Sequence, residues 1–144
     1  MPKSQWYGQS AAGIVARLWV PTQMGVILMK STFAPNIDSQ LRYSDISAQE
    51  LAAGGGYTAG GKQIINRSTS YNASADEYDL AGDDVTWGPG ATFTARYGVV
   101  YEMASADKFL WALLDFEADI PVSNGIFTID WTTGLLTVKV DPAV

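Results

Sequence analysis

The sequence predicts a mainly β protein: an antiparallel β-sandwich, jelly-roll or immunoglobulin-like, with a short N-terminal helix. Three observations support this fold class. After Tyr57, apolar and polar residues alternate and are interrupted by Gly, Pro and Asn at a spacing of roughly 8–12 residues. The segment before Pro21 has helical spacing instead. The 144 residues suffice for one domain with its own core. We therefore expect an N-terminal docking segment or helix at 1–22 and a β-sandwich domain at 23–144.

The N-terminal helix is predicted between Ser10 and Val20, with Pro21 as its stop. Its apolar residues recur at helical spacing: Ala11, Ile14, Val15, Leu18 and Trp19. So short a helix is unstable alone and must pack on something. Two alternatives are open: the helix packs on its own domain, or it docks on a neighbouring subunit with Trp6, Tyr7 and Trp19 as anchors.

The next elements are a strand, a helical turn and a series of further strands. Residues 24–30 read as a buried strand. Ser47 and Glu50 have the spacing of a capping box, which predicts a helical turn that ends at Gly54. Further strands are predicted at 62–71, 77–80, 85–87, 93–101, 109–116, 127–131 and 136–140. The apolar run at 109–116 suits a strand covered on both faces.

Two segments predict tight turns between these strands. Gly88-Pro89-Gly90 is a strong turn signal. Asn124-Gly125 is the usual signature of a two-residue hairpin. The count is about eight strands, which is typical of a sandwich.

Composition excludes several function classes. The net charge is −6, and the nine basic residues are scattered, which argues against a nucleic-acid or anionic membrane surface. The chain contains no His and no Cys, which excludes Ser-His-Asp and Cys-His triads and ordinary zinc sites. Charged residues make up only 17% of the chain, against about a quarter in an average protein. This low share indicates either a surface covered by a partner protein or one rich in Thr, Ser, Asn and Gly.

Neither a membrane segment nor a secretion signal is expected. No apolar run approaches the roughly 18 residues that a membrane helix requires. The N-terminus lacks a basic start followed by an apolar segment and a small-residue cleavage site. We expect a protein that is made in a cytoplasm and stays there until assembly or lysis.

Acidic clusters are the remaining candidates for chemistry. They comprise Asp76, Glu77 and Asp79, followed by Asp83 and Asp84. A glycosidase needs two carboxylates beside a sugar, and Trp87 lies near Asp83 and Asp84 in sequence. The same oxygens suit a structural Ca²⁺, but no loop template for this ion matches. Because acidic residues beside turns are common, we predict no catalytic residue, no metal ligand and no cofactor.

Aromatic residues divide into a core set and a surface set. We expect the core set at alternating strand positions: Phe93, Trp111, Phe116, Phe127 and Trp131. We expect a partner protein to contact rings near turns or the N-terminus: Trp6, Tyr7, Trp19, Tyr57, Tyr71 and Trp87. Sugars also stack on such rings, so a carbohydrate-binding or adhesin module with Tyr57, Tyr71 and Trp87 is the alternative of another class.

A succession of segments from residue 24 to residue 140 resembles a known family. The segments are GYTAGGK at 56–62, DDVTW at 83–87, TARYGVVY at 94–101, LLDF at 113–116, NGIFTIDW at 124–131 and GLLTV at 134–138. Their order and spacing resemble a family of small virion structural proteins of tailed bacteriophages. The N-terminal lead-in, with Trp6, Tyr7 and Trp19, is more aromatic than that family leads us to expect.

The resemblance implies a non-enzymatic component of the phage particle. It favours a capsid decoration or cement protein on the capsid exterior, made in the bacterial host cytoplasm. Its partners would be the major capsid protein and copies of itself, as a homodimer or homotrimer. A tail or head-fibre component is the alternative within the same virion. The family supplies no catalytic residues.

Overall fold

The computed structural model describes residue 2, residues 10–131 and residues 134–139. Its regular elements, in chain order, are α1 (Ser10–Trp19), β1 (Met24–Met29), α2 (Tyr43–Ile46), a 3₁₀ turn (Ser47–Gln49), β2 (Lys62–Gln63), β3 (Ser68–Asn72), β4 (Glu77–Ala81), β5 (Val85–Glu102), β6 (Leu110–Ile129) and β7 (Thr137–Lys139). The strands form two antiparallel sheets, ordered β2-β1-β5-β6 and β3-β4-β7. The predicted class, a mainly β sandwich-like fold with a short N-terminal helix, is confirmed.

The chain divides into two compact units, each with one of the sheets. The first contains α1, β3, β4 and β7 and takes up the described residues of 1–22, 65–83 and 131–144. The second contains β1, β2, β5 and β6 and takes up 23–64 and 84–130. The division into a docking segment at 1–22 and a domain at 23–144 stays a prediction.

The core of the second unit lies along β1 and the C-terminal part of β5. β1 is buried at all six positions and pairs with β5 from Met24 opposite Glu102 to Met29 opposite Tyr97. Ile27 and Met29 pack with Val99 and Tyr101, as the alternation along 93–101 predicts. Phe33 and Ile46 cover this cluster. The long β5 begins at Val85, which pairs with Ile129 of β6.

The predicted turn at Gly88-Pro89-Gly90 is wrong. These residues lie inside β5, where the ladder with β6 shifts register between Trp87 and Ala91. Gly88 and Gly90 have φ values of +107° and +85°, a region that glycine enters without steric cost. A Cβ on Gly88 would lie 2.4 Å from the carbonyl oxygen of Gly125. The same residues that build tight turns therefore build a bulge here.

The predicted hairpin at Asn124-Gly125 is also wrong. β6 runs through both residues, and the Asn124 N–H donates to Thr92 Oγ1 at 3.0 Å. The reversal between β5 and β6 instead falls in the segment 103–109, where Lys108 has a φ of +48°. Residues 109–116 do not form a central strand covered on both faces. β6 is an edge strand of its sheet, and the first four residues of β6 are only half-buried.

Two further boundaries differ from the prediction. The 62–71 run is divided between β2 and β3, which belong to different sheets. Ser47 and Glu50 form no capping box: the helix begins earlier, at Tyr43, where Asp45 Oδ2 accepts the backbone N–H groups of Leu41 and Arg42, each at 2.9 Å. The Glu50 carboxylate is held by other partners.

Candidate protein-interaction surface

Helix α1 is anchored to the first unit through its small residues and one tryptophan. Ala12, Ala16 and Trp19, which recur at helical spacing, are buried, and the helix packs against β3, β4 and β7. Gly13 lies where an added Cβ would be 3.3 Å from the Tyr78 hydroxyl, tighter than ordinary contact. These short side chains let the helix backbone lie close to β4.

Trp19 fixes the C-terminal half of the helix. Its ring is fully buried and stacks on Trp131, with centroids 5.9 Å apart and 25° between the planes. Trp19 Nε1 donates to the Ala81 carbonyl at 2.9 Å, and Trp131 Nε1 donates to the Leu80 carbonyl at 3.0 Å. Both indoles are therefore tied to β4 by ring contact and by hydrogen bond.

Arg67 closes the end of the same helix. Its Nε and Nη2 atoms donate to the carbonyls of Trp19 and Val20, both at 2.9 Å. The last carbonyls of a helix have no partner inside the helix, and a cation there also matches the helix dipole. Burial lowers the pKa of the Arg67 guanidinium from its usual value, yet arginine stays charged in proteins. The helix is thus held on its inner side and at its C-terminal end.

The opposite side of α1 is exposed and mostly apolar, with Arg17 as its charged residue. Ile14, Val15 and Leu18 are exposed by 52%, 37% and 50%, and Val20, directly after the helix, is exposed by 47%; we name these four residues the α1 outer face. Ile14 and Leu18 are four residues apart, so their side chains lie over adjacent turns. Single exposed aliphatic residues are common, whereas a contiguous group on a firmly held helix indicates an interaction site.

The structure divides the apolar stripe that the sequence predicts for this helix. Trp19 packs inward together with Ala12 and Ala16, whereas Ile14, Val15 and Leu18 are exposed. The reason is steric, because small residues permit the close approach that Gly13 and Tyr78 show. The small residues at 12, 13 and 16 were the sequence signal that could have revealed this face.

The structure describes four of the six aromatic residues predicted as interface anchors, and three of these four are buried. Trp6 and Tyr7 lie outside the described residues. Trp19, Tyr57 and Trp87 are at most 2% exposed, so the expectation that they face a partner is corrected. Tyr71 is half-buried and donates its hydroxyl to the Asp76 carboxylate, and its ring contacts Tyr78 at 5.1 Å.

Tyr57 and Trp87 belong to an aromatic cluster inside the second unit. Their rings stack at 6.2 Å, and Phe93, Phe116 and Phe127 extend the cluster through edge-to-face contacts of 5.6 to 6.2 Å. Lys62 Nζ lies 5.7 Å from the centroid of the Trp87 ring. The prediction that Phe127 and Trp131 are core residues is confirmed, whereas Trp111 is only half-buried and donates to Glu102.

A buried carboxylate organises the segment that follows α2. Glu50 is 6% exposed and accepts three hydrogen bonds: from the Tyr43 hydroxyl, from the Tyr57 hydroxyl at 2.6 Å and from the Gly60 N–H at 2.8 Å. The Tyr57 oxygen also accepts the Leu28 N–H at 3.1 Å, which ties the network to β1. Tyr101 donates to the Gly60 carbonyl at 2.6 Å. The partners of Glu50 lie 7 to 10 residues away, a spacing that no helix or tight-turn rule pairs, so the sequence alone did not reveal them.

The network perturbs its tyrosines. Burial, followed by the hydrogen bond to Glu50, raises the pKa values of Tyr43 and Tyr57 well above their usual range. Burial and the nearby charge of Glu50 raise the pKa of Tyr101 to about 12. Every donor of the network serves an acceptor within the chain, which indicates a structural role.

Alkaline pH is expected to destabilise the protein through these hydroxyls. A group whose pKa is raised on folding contributes stability that is complete below its unfolded value, here 10.0, and is lost as the pH rises further. We expect the urea midpoint to be constant from about pH 8 to pH 9.5 and to fall above about pH 10. Tyr57→Phe should flatten that decline. A variant with the wild-type pH dependence would contradict this assignment.

The acidic clusters do not assemble a candidate metal centre among the residues that the structure describes. No group of three or more acidic side chains there is placed to hold an ion. Asp83 Oδ2 accepts a hydrogen bond from Asn66 Nδ2 at 2.6 Å. The sugar platform expected from Tyr57, Tyr71 and Trp87 is not formed, because two of its three rings are buried. In the described part of the chain, no helix is long and apolar enough to cross a membrane.

Comparison of the chain with protein-family models, with curated proteins and with solved structures gives no match. The α1 outer face is therefore assigned a role from its own geometry.

Proposed function

We propose that this chain is a non-enzymatic structural protein of a tailed-bacteriophage virion. In this proposal it is a capsid decoration or cement protein that sits on the capsid exterior and bridges neighbouring major capsid subunits. The order of its sequence segments supports the phage assignment. The α1 outer face is the observation that supports binding to another protein, because three aliphatic side chains on a helix that the chain holds in place, and a fourth directly after it, are exposed.

The free energy gained by covering the α1 outer face suits a protein that makes several contacts on the same shell. Full burial of an aliphatic side chain contributes about 1.5–3 kcal/mol, so covering four side chains that are about half-exposed contributes roughly 3–6 kcal/mol. Association costs consume much of this gain for one isolated contact. On a shell, a second contact by the same molecule becomes intramolecular and the affinities combine.

Bridging explains how such a protein stabilises a particle. A ligand that binds only the assembled state lowers the free energy of that state by mass action. The fixed position of α1 matters here, because a helix already held by Trp19 and Arg67 loses little entropy on docking. No group with acid–base or nucleophilic chemistry is required.

The test is add-back of purified protein to particles assembled without it. Wild type should bind in hundreds of copies and raise the temperature at which the particles lose their genome. The double variant Ile14→Asp, Leu18→Asp should bind at least tenfold less, because two charges would be buried. Ile65→Asp is the matched control, since Ile65 is also 52% exposed but lies outside α1.

Three results would contradict parts of this proposal. If particles without the protein are as heat-resistant as complete ones, the cement role fails. If the double variant binds like the control, the α1 outer face is not the docking surface. A count of a few copies per particle would assign the protein to the tail or a head fibre instead.

A further inference from the structure

A second apolar surface lies in the second unit, beside the start of β6. A pocket of about 100 Å³ opens there between the 33–40 loop and residues 110–113. Its inner wall includes Phe33, Ile46 and Val99, which are core residues. Ile37 also lines it, yet this side chain is 80% exposed, more than any other large hydrophobic side chain of the described residues. A projecting side chain and a recess therefore lie side by side.

The loop that carries Ile37 is held by its own hydrogen bonds. Asn36 Oδ1 accepts the N–H groups of Asp38 and Ser39 at 3.1 and 3.2 Å. Gln40 Oε1 accepts the Asn36 N–H at 2.8 Å, and Gln40 Nε2 donates to the Ala34 carbonyl at 3.2 Å. An exposed aliphatic residue on a loop closed in this way costs little additional ordering on binding.

We propose that this surface is a self-association site, in which Ile37 of one copy enters the pocket of a second copy and the exchange is mutual. A two-fold contact uses the same patch on both copies, so the patch must carry both the projection and its recess. The volumes agree: a 150 Å³ cavity accepts the six carbons of benzene, so a cavity of roughly 100 Å³ suits the four-carbon side chain of isoleucine.

The charge at the contact permits the same occupant. The eleven described residues that line the pocket are all uncharged, whereas the whole chain has a net charge of −6. Two such chains repel each other at acidic surfaces, so a contact between copies needs an uncharged patch. One side chain seated in a recess of about 100 Å³ on each copy is a small contact, which predicts a weak dimer with a dissociation constant of about 10 µM to 1 mM.

This site is separate from the α1 outer face and does not depend on the capsid role. Weak pairing would become effective where copies are held at high local concentration. The two surfaces can be tested separately, because the substitutions that address them lie in different units.

The first experiment is sedimentation of the full chain from about 10 µM to 1 mM. Wild type should show a reversible monomer–dimer equilibrium. Ile37→Asp should weaken the dimer at least tenfold, because a carboxylate cannot enter an apolar pocket. Ile126→Asp is the matched control, since Ile126 is 62% exposed in the same unit and does not line the pocket. A wild type that stays monomeric throughout, or an Ile37→Asp variant that dimerises like the control, would overturn the proposal.

A second experiment does not depend on stability. The chain has no cysteine, so engineered thiols report a single contact. Ile37→Cys and Ala112→Cys proteins, mixed and oxidised gently, should form the mixed disulfide at least fivefold faster than Ile126→Cys with Ala112→Cys. Equal rates would show that Ile37 does not approach the pocket of a second copy. Thermal unfolding by circular dichroism checks that each variant is folded.

Discussion

Replacing Glu50 with alanine is expected to lower the free energy of unfolding by about 3–5 kcal/mol. The substitution leaves two tyrosine hydroxyls and the Gly60 N–H without their acceptor in a buried place. Each unsatisfied buried donor costs about 1–3 kcal/mol, and some of this cost is recovered if water enters. The measurement is urea unfolding followed by tyrosine and tryptophan fluorescence.

Two control variants distinguish the loss of the Glu50 hydrogen-bond network from the general effect of removing a carboxylate. Tyr43→Phe removes one donor and leaves the other two satisfied, so it should cost only about 1–2 kcal/mol. Glu77→Ala, at a half-buried position of β4, should cost about 0.5 kcal/mol. If Glu50→Ala were no more destabilising than Tyr43→Phe, the carboxylate would not be the centre of the network.

The second large effect is expected at the anchor of α1. Trp19→Ala removes a fully buried ring, its stack on Trp131 and its hydrogen bond to Ala81. Truncation of a buried aromatic residue typically costs about 3–5 kcal/mol. Because Trp19 ties the helix to β4, we also expect the loss of helical signal from α1 and faster proteolysis after Arg17.

Matched substitutions in the same helix sharpen this prediction. Trp19→Phe keeps a ring but removes the indole donor to the Ala81 carbonyl, so about 1–3 kcal/mol is expected. Leu18→Ala changes the adjacent residue, which is half-exposed, and should cost about 0.5 kcal/mol. A Trp19→Ala protein as stable as Leu18→Ala would show that the inner side of α1 does not hold the helix.

The sequence was informative wherever one local rule decided the structure. The stop at Pro21, the buried run of β1 and the alternation of Tyr97, Val99 and Tyr101 each reflect periodicity or backbone chemistry within one segment. The sequence was misleading where one residue pattern is compatible with two backbone structures. Glycine, proline and asparagine enter positive-φ or turn conformations in hairpins and in bulges alike, so Gly88-Pro89-Gly90 and Asn124-Gly125 read as turns although both lie inside long strands.

The candidate surfaces were only partly predictable. Helical spacing identified Ile14 and Leu18, but not that they face outward, since both sides of α1 are apolar and close packing selected the smaller side. Tyr57 and Trp87 stand next to glycines in the sequence, as surface rings near turns do, yet both are buried in one cluster by residues from distant strands. Local polarity cannot reveal that kind of burial.

By itself, the sequence determined the mainly β class, the short helix and the absence of histidine and cysteine chemistry, because periodicity and composition are properties of the chain alone. Only the tertiary structure decided which side of α1 is free, which donors Glu50 accepts and that Ile37 stands beside a recess. The packing of α1 and the recess beside Ile37 depend on contacts between residues far apart in sequence, which form only when the strands take their order and register, and the Glu50 hydrogen bonds depend on the folded path of the chain from Tyr43 to Gly60.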